Sequence, residues 1–279
     1  MTTRTIHVAH SPDSDDAFMF YALAEGKIDT EGLTYEHELQ DIETLNQRAL
    51  AGELEVTAVS IHAYAYLTDH YALLPSGASM GDRYGPRLVC KTPATRADVK
   101  GKRIAIPGMR TSAYLALRLY EPDFEAMPTQ FDQIEEAVLD GVVDMGLLIH
   151  EGQLTYQDNG LHLVADMGEW WYGETGLPLP LGGNVVRKDF GSELMSKISR
   201  HLKASIAYAL DHRGGALDHA MQYARGLDRS KADEFVGMYV NDWTLDYGPR
   251  GREAICQFLD RAWKAGLIPH QVAAEFVDG

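Results

Sequence analysis

Short strand-like runs alternate with helix-like runs from the first residues onward, and no other feature restricts the fold as much. Thr5 to His10 reads as a strand, Asp16 to Glu25 as a helix and Leu33 to Leu39 as a strand again. Asp41 to Ala51 follows as a helix, then Glu55 to Ile61 and Gly85 to Lys91 as strands. Strands separated by helices pair in parallel through crossovers, so this rhythm predicts an open, largely parallel sheet covered by helices. At Lys102 to Pro107 the rhythm starts again, running through helices at Ser112 to Tyr120 and Gln130 to Asp140 to a strand at Val143 to His150. A second start predicts a second α/β domain, and 279 residues suffice for two of ordinary size.

Past Val186 the periodicity is helical almost throughout. Met195, Ile198, Leu202, Ile206 and Leu210 keep a helical spacing, as do Ala254, Ile255, Phe258, Leu259, Ala262 and Trp263. Each set makes one apolar stripe that must be buried against another element. This helical C-terminal region is expected to pack on the first domain. The chain therefore leaves that domain near Cys90 and returns near Val186, giving a discontinuous first domain of residues 1–89 and 186–279 and a second of residues 90–185.

Lys and Arg number 25 against 41 Asp and Glu, a formal charge of -16, whose field repels phosphate backbones and anionic lipid surfaces. Nucleic acid is thereby excluded as an expected partner. No apolar run approaches the roughly 18 residues of a membrane span. The opening MTTRTIHVAHSPDSDD has no apolar stretch and no cleavage site of a secretory signal, which leads to the expectation of a cytoplasmic protein. Cys90 and Cys256 lack metal-type spacing and read as small buried apolar residues.

Four segments stand where ligands bind in open α/β sheets, at the carboxyl ends of strands or near the crossings. Ser11-Pro12-Asp13-Ser14-Asp15-Asp16 joins the first strand to the first helix. One aspartate suffices for a helix cap, so three leave capping and ligand contact both open. Gly108-Met109-Arg110-Thr111-Ser112-Ala113 is the equivalent turn of the second series, where free N–H groups, hydroxyls and Arg110 suit a carboxylate. His150-Glu151 ends an apolar strand and sets an imidazole that titrates near neutral pH at the mouth of a cleft. Trp170, Trp171 and Tyr172, followed by Gly176 to Gly183, offer rings for a planar ligand or for the core.

Other motifs carry less. Gly77-Ala78-Ser79-Met80-Gly81 fits the GxSxG pattern, but loop residues rather than a helix follow Ser79, as a nucleophile elbow cannot tolerate. HEGQL lacks the second histidine of the HExxH zinc motif, and no metal site is expected. Neither a P-loop nor GxGxxG is present.

SPDSDDAFMFYAL, DIETLNQRAL, PGMRTSAYLALRLY, GLLIHEGQLTY, EWWYGETGLPLPLG and YVNDWTLDYG together resemble the 1,4-dihydroxy-6-naphthoate synthases of the futalosine route to menaquinone, in that family's order and over nearly the whole chain. The resemblance implies a type II periplasmic-binding-protein-like α/β fold, two α/β domains with a ligand cleft between them. It also implies a cytoplasmic carbon–carbon lyase, without cofactor, that converts cyclic dehypoxanthine futalosine to the naphthoate by base-assisted loss of the sugar-derived fragment. The histidine of the family's IHE motif, its base, matches His150. Family contacts at the helix start match Thr111, Ser112 and Ala113, those of the first loop match Ser11 and Asp16, and Ser60 falls on another cleft position. Asp13, Arg110, Trp171 and Gly182 complete the candidate substrate contacts.

The family commonly reads SPCPNDTF at the first loop, where this chain has Asp13, Ser14, Asp15 and Ala17 in place of cysteine, proline, asparagine and threonine. Negative charge added beside a carboxylate substrate costs affinity unless Arg110 or another cation offsets it. Two other readings stand beside the lyase: a sibling enzyme acting on another carboxylated aromatic or enolpyruvyl substrate, such as a chorismate dehydratase, and a non-catalytic small-carboxylate binding protein.

Overall fold

The computed structural model describes residues 4–224 and 227–277. Its first sheet is seeded by β1 (Arg4–His10), which pairs in parallel with β2 (Leu33–Leu39) on one side and β3 (Val56–Ser60) on the other. Beyond β3 the sheet turns antiparallel through β11 (Leu179–Arg187), flanked by β4 (Tyr71–Leu73) and paired also with β5 (Ser79–Gly81). Only the half read from strand and helix alternation is parallel. The expectation of a largely parallel sheet is corrected to a mixed one.

A second sheet has the order β10-β6-β9-β7-β8, from β6 (Arg87–Cys90), β7 (Arg103–Ile106), β8 (Glu125–Pro128), β9 (Met145–Leu148) and β10 (His162–Asp166). Strands β7, β8 and β9 run parallel, while β6 and β10 are antiparallel to their neighbours. Because β5 ends the first sheet and β6 already belongs to the second, the chain crosses at residues 82–86. It returns at residues 176–178, between α7 (Met167–Thr175) and β11. Both crossings precede the positions read from the sequence.

Helices follow the strands as the sequence suggests. Those after the parallel strands are α1 (Ser14–Ala24), α2 (Ile42–Leu50) and α3 (Ile61–Tyr64) in the first half, and α4 (Ser112–Tyr120), α5 (Ile134–Leu139) and α6 (Gly152–Thr155) in the second. Asp41 caps α2 by accepting the Thr44 N–H at 3.0 Å, and Thr111 caps α4 by accepting the Tyr114 N–H at 3.2 Å. The C-terminal helices are α8 (Gly191–Asp211), α9 (Arg213–Ala220), α10 (Arg229–Tyr239), α11 (Asp242–Leu245) and α12 (Gly248–Lys264).

Helices α8, α9 and α10 pack on α1, so Ile198, Leu202 and Ile206 join Phe18, Met19, Val8 and Val56 in one core. Helix α12 behaves differently. Its Ile255, Phe258 and Leu259 enter a core that contains Val59 and Leu73 of the first sheet and Ile104 and Leu147 of the second. It therefore clamps both sheets rather than covering the first alone. Trp263, counted into its apolar stripe, is 40% exposed, and Cys256 also lies exposed while Cys90 is buried. No described helix is long and apolar enough to cross a membrane.

Candidate active site

Five strand-to-helix handovers from the two sheets converge on one cleft, Ile42 at the start of α2 among them, which encloses about 760 Å³ with its open mouth included. That volume suits a small organic ligand. The first sheet supplies Ser11, Asp13, Asp15 and Asp16 between β1 and α1, Ser60 after β3, and Gly182 and Asn184 from β11. Across from them stand Thr111, Ser112 and Ala113 at the start of α4, Ile149 after β9, and Gln153 in α6. Phe235 and Tyr239 of α10 close one side, and Ser79 of β5 borders the floor near Gly182.

The aspartates of the first loop do more than cap. Helix α1 begins at Ser14 with Asp13 in the cap position, yet Asp13 makes no capping bond. Its carboxylate accepts the Ser11 hydroxyl at 2.6 Å, and Asp16 accepts the Ser11 N–H at 2.7 Å, so the loop is folded onto its own acids. Burial raises Asp16 to about 7 against the opposing Ser11 hydrogen bond, with Asp13 adding to the rise. Asp15 is pushed well above the usual carboxylate range by burial, then by Asp16, Asp13 and Glu151. Both shifts run toward the protonated form, and with a value of about 7 Asp16 titrates close to neutral pH.

Hydroxyls on both walls are held by partners that leave them able to donate. Ser60 Oγ accepts from Asn46 Nδ2 at 3.1 Å while Asn46 Oδ1 takes the Ser60 N–H at 2.9 Å. Ser112 Oγ accepts the His62 N–H at 3.1 Å. Each serine thus keeps its own proton for a ligand. The Thr111 hydroxyl is already spent, since it donates to Gly108 O at 2.9 Å as well as capping α4. The first-turn N–H groups of Ser112 and Ala113 are the ones that an α-helix leaves without intrahelical acceptors. They give the cleft its positive end.

Arg110 does not reach this end. Its guanidinium lies over the Tyr66 ring at 4.2 Å and its N–H donates to Glu43 Oε2 at 3.1 Å, outside the described cleft lining. Gly108 makes that approach: a Cβ there would stand 2.4 Å from the Glu43 carboxylate. Trp171 is likewise removed from the ligand side. It is fully buried, donates to Pro178 O at 3.1 Å and meets Phe258 edge-on at 5.3 Å, so the core reading of this tryptophan holds. No lysine or arginine is among the described residues lining the cleft.

His150 follows β9 at the rim, half-buried. Its Nδ1 accepts the Gly152 N–H at 2.8 Å, which leaves the proton on Nε2, where it is donated to Phe131 O at 2.9 Å. Gly152 permits this fold-back, since a Cβ would stand 2.7 Å from the imidazole Cε1. His150 is not among the described lining residues, whereas its neighbours Ile149 and Gln153 are. Ser79 heads a strand and precedes no helix, so the elbow geometry of a serine hydrolase is absent there. Among the described residues no three His, Cys, Asp or Glu side chains are arranged to hold a metal ion.

The two halves are clasped on both rims. His62 N to Ser112 and Arg110 N to Glu43 tie one side, while Ser14 Oγ to Glu151 Oε1 at 3.4 Å, Tyr239 to Gln153 at 2.8 Å and Lys231 to Asp158 at 3.0 Å tie the other. Gln153, Asn184, Phe235 and Tyr239 are absent from the candidates drawn from the strand-to-helix turns. GLLIHEGQLTY contains Gln153 and YVNDWTLDYG begins at Tyr239, whereas Asn184 and Phe235 lie in none of the quoted motifs.

Known proteins resemble this chain in sequence and in fold. The sequence profile described as menaquinone biosynthesis matches residues 6–264. A protein of Streptomyces coelicolor named 1,4-dihydroxy-6-naphthoate synthase is 38% identical over 275 residues, covering 96% of each chain. One of the same name from Thermus thermophilus is 38% identical over 262 residues, covering 94% of this chain and 95% of its own. The crystal structure of protein AF1704 from Archaeoglobus fulgidus superposes with a TM-score of 0.92 at 48% identity, over 96% of this chain and 100% of the other. The alkanesulfonate-binding protein SsuA of Xanthomonas axonopodis gives 0.69 at 14% identity over 98% of this chain and 97% of its own, a likeness of fold alone.

Proposed function

The chain belongs to the menaquinone biosynthesis family, and from that premise we propose that it is a carbon–carbon lyase forming 1,4-dihydroxy-6-naphthoate from cyclic dehypoxanthine futalosine, in the cytoplasm. The observation that carries the reading is the convergence of the family's motifs on one cleft: Ser11 and Asp16, Ser60, and Thr111 to Ala113 all border it. The substrate carboxylate sits at the α4 N-terminus, taken by the Ser112 and Ala113 N–H groups and the Ser112 hydroxyl. The ring system lies against Ile42, Ile149, Leu181 and Phe235, the apolar part of the lining.

His150 serves as the base. Its Nδ1, engaged with the Gly152 N–H outside the cleft lining in this structure, must give up that bond to take the proton of the substrate hydroxyl on the carbon that departs. As that oxygen becomes a carbonyl, the carbon–carbon bond breaks and its electron pair enters the ring that becomes aromatic. The donor bond from Nε2 to Phe131 O favours this tautomer and steadies the imidazolium that results.

Incubation with cyclic dehypoxanthine futalosine, followed by naphthoate absorbance, tests the reading. Naphthoate formation is expected without added cofactor. Tight binding without turnover would return the chain to a solute-binding role. Turnover of a different carboxylated aromatic or enolpyruvyl acid would assign it to a sibling enzyme.

A further inference from the structure

Gln153 is fully buried and borders the cleft, its Oε1 accepts the Tyr239 hydroxyl at 2.8 Å, and its Nε2 has no partner among the described residues. Buried amide donors in native proteins are nearly always paired, so an unpartnered one on a residue that lines a cleft marks a place for a ligand acceptor. Around the same cleft stand the carboxyls of Asp13, Asp15 and Asp16. We propose that Gln153 is the specificity-determining donor for an uncharged, hydroxyl-bearing part of the substrate, gripping one of its oxygens while the neighbouring carboxyls receive its hydroxyl protons.

The chemistry selects this class over others. No lysine or arginine is among the described lining residues to pair with an anion there. A cation is disfavoured by the amide N–H pointing at it. A hydroxyl accepts from Nε2 and donates to a carboxyl, which satisfies both kinds of group at once. Burial pushes the Tyr239 phenol far up, so it stays protonated and keeps donating to Oε1, which leaves Nε2 as the unpaired end of the amide. The inference rests on the naphthoate-synthase reading and deepens it: with the carboxylate at α4, the sugar-derived fragment lies at the Gln153 end.

The test compares the wild type with Gln153→Leu, Gln153→Glu and Tyr239→Phe, using two probes: turnover of cyclic dehypoxanthine futalosine, and binding of 1,4-dihydroxy-6-naphthoate, which lacks the sugar-derived fragment. Gln153→Leu is expected to raise KM about tenfold, the loss of one buried hydrogen bond, with naphthoate Kd changed by less than about twofold. Gln153→Glu still accepts from Tyr239 and carries the test if the leucine variant does not fold; it is expected to show the same selective loss. Tyr239→Phe leaves Nε2 in place but unlocks the amide, and a smaller selective loss is expected. An unchanged KM in Gln153→Leu and Gln153→Glu would overturn the inference, as would equal weakening of both probes. A wild type that does not turn the substrate over would instead overturn the naphthoate-synthase reading, and the inference would fall with it.

Discussion

Replacing Asp16 by Asn probes the least comfortable charge in the cleft. Asp16 is buried and accepts the Ser11 N–H at 2.7 Å. Burial raises its carboxyl from an unfolded value of 3.8 to about 7. Between those values the folded protein holds a proton that the unfolded chain has released, so folding takes up a proton. The contribution of Asp16 to stability is therefore greatest at the acid end of this window, falls as pH rises through it, and is flat above about 7. Above the window, keeping the carboxylate charged costs roughly 4 kcal/mol, a cost shared with Asp15, which the same burial and the Asp16 charge also raise. Asparagine retains an oxygen for the Ser11 N–H in nearly the same shape and carries no charge. Urea unfolding of both proteins at about pH 8 is expected to show the variant more stable by about 2 to 4 kcal/mol, and at about pH 4 the two should converge. A stability gain paired with lower turnover would mark a carboxyl kept for function. A difference that is the same at both pH values, or a less stable variant at about pH 8, would refute the argument from burial.

Five further perturbations have expected outcomes. His150→Asn removes the base while keeping a polar side chain, and kcat should fall by about 10² to 10⁴ with little change in substrate Kd; near-normal turnover would show that the proton goes elsewhere. Ser79→Ala and chelator treatment should each leave turnover within about tenfold, roughly 1.4 kcal/mol of barrier, and a larger loss from either would reopen the hydrolase or metal readings. Trp171→Ala should destabilise the protein by about 3 to 5 kcal/mol in denaturant unfolding, whereas Arg110→Ala, outside the cleft lining, should leave substrate affinity nearly unchanged.

The sequence shows the strand-to-helix handovers clearly because each leaves local marks: an apolar run, a polar or glycine turn, then a capped helix. Strand β2 and helix α4 occupy the spans expected of them, Leu33–Leu39 and Ser112–Tyr120. Strand β11 is harder to see. It lies between β3 and β4, yet it carries Pro180 and two glycines, which are tolerated because its register with β5 shifts between Pro180 and Gly182. The crossing near Cys90 is misplaced for a similar reason, since an apolar run such as β6 does not reveal which sheet will pair with it. Side-chain direction is also set by partners remote in sequence. Tyr66 takes the Arg110 guanidinium outside the cleft lining, and Pro178 and Phe258 hold Trp171 in the core. Gln153 and Tyr239 meet only because the second sheet and the C-terminal helices are brought face to face.

The altered first loop shows how such partners change the meaning of a motif. Read from the sequence, Asp13, Asp15 and Asp16 add negative charge beside an anionic substrate, and Arg110 is the expected offset. In the structure Arg110 is engaged elsewhere and no cation is among the described lining residues. Protonation works against the charge instead: burial raises both Asp15 and Asp16, Asp16 to about 7. A protonated carboxyl is also a hydrogen-bond donor, as the asparagine of the common family loop would be at the Asp15 position. Burial drives the aspartate at that position toward the form that preserves the donor, and the repulsion expected from a count of acids grows as pH rises through the Asp16 value of about 7.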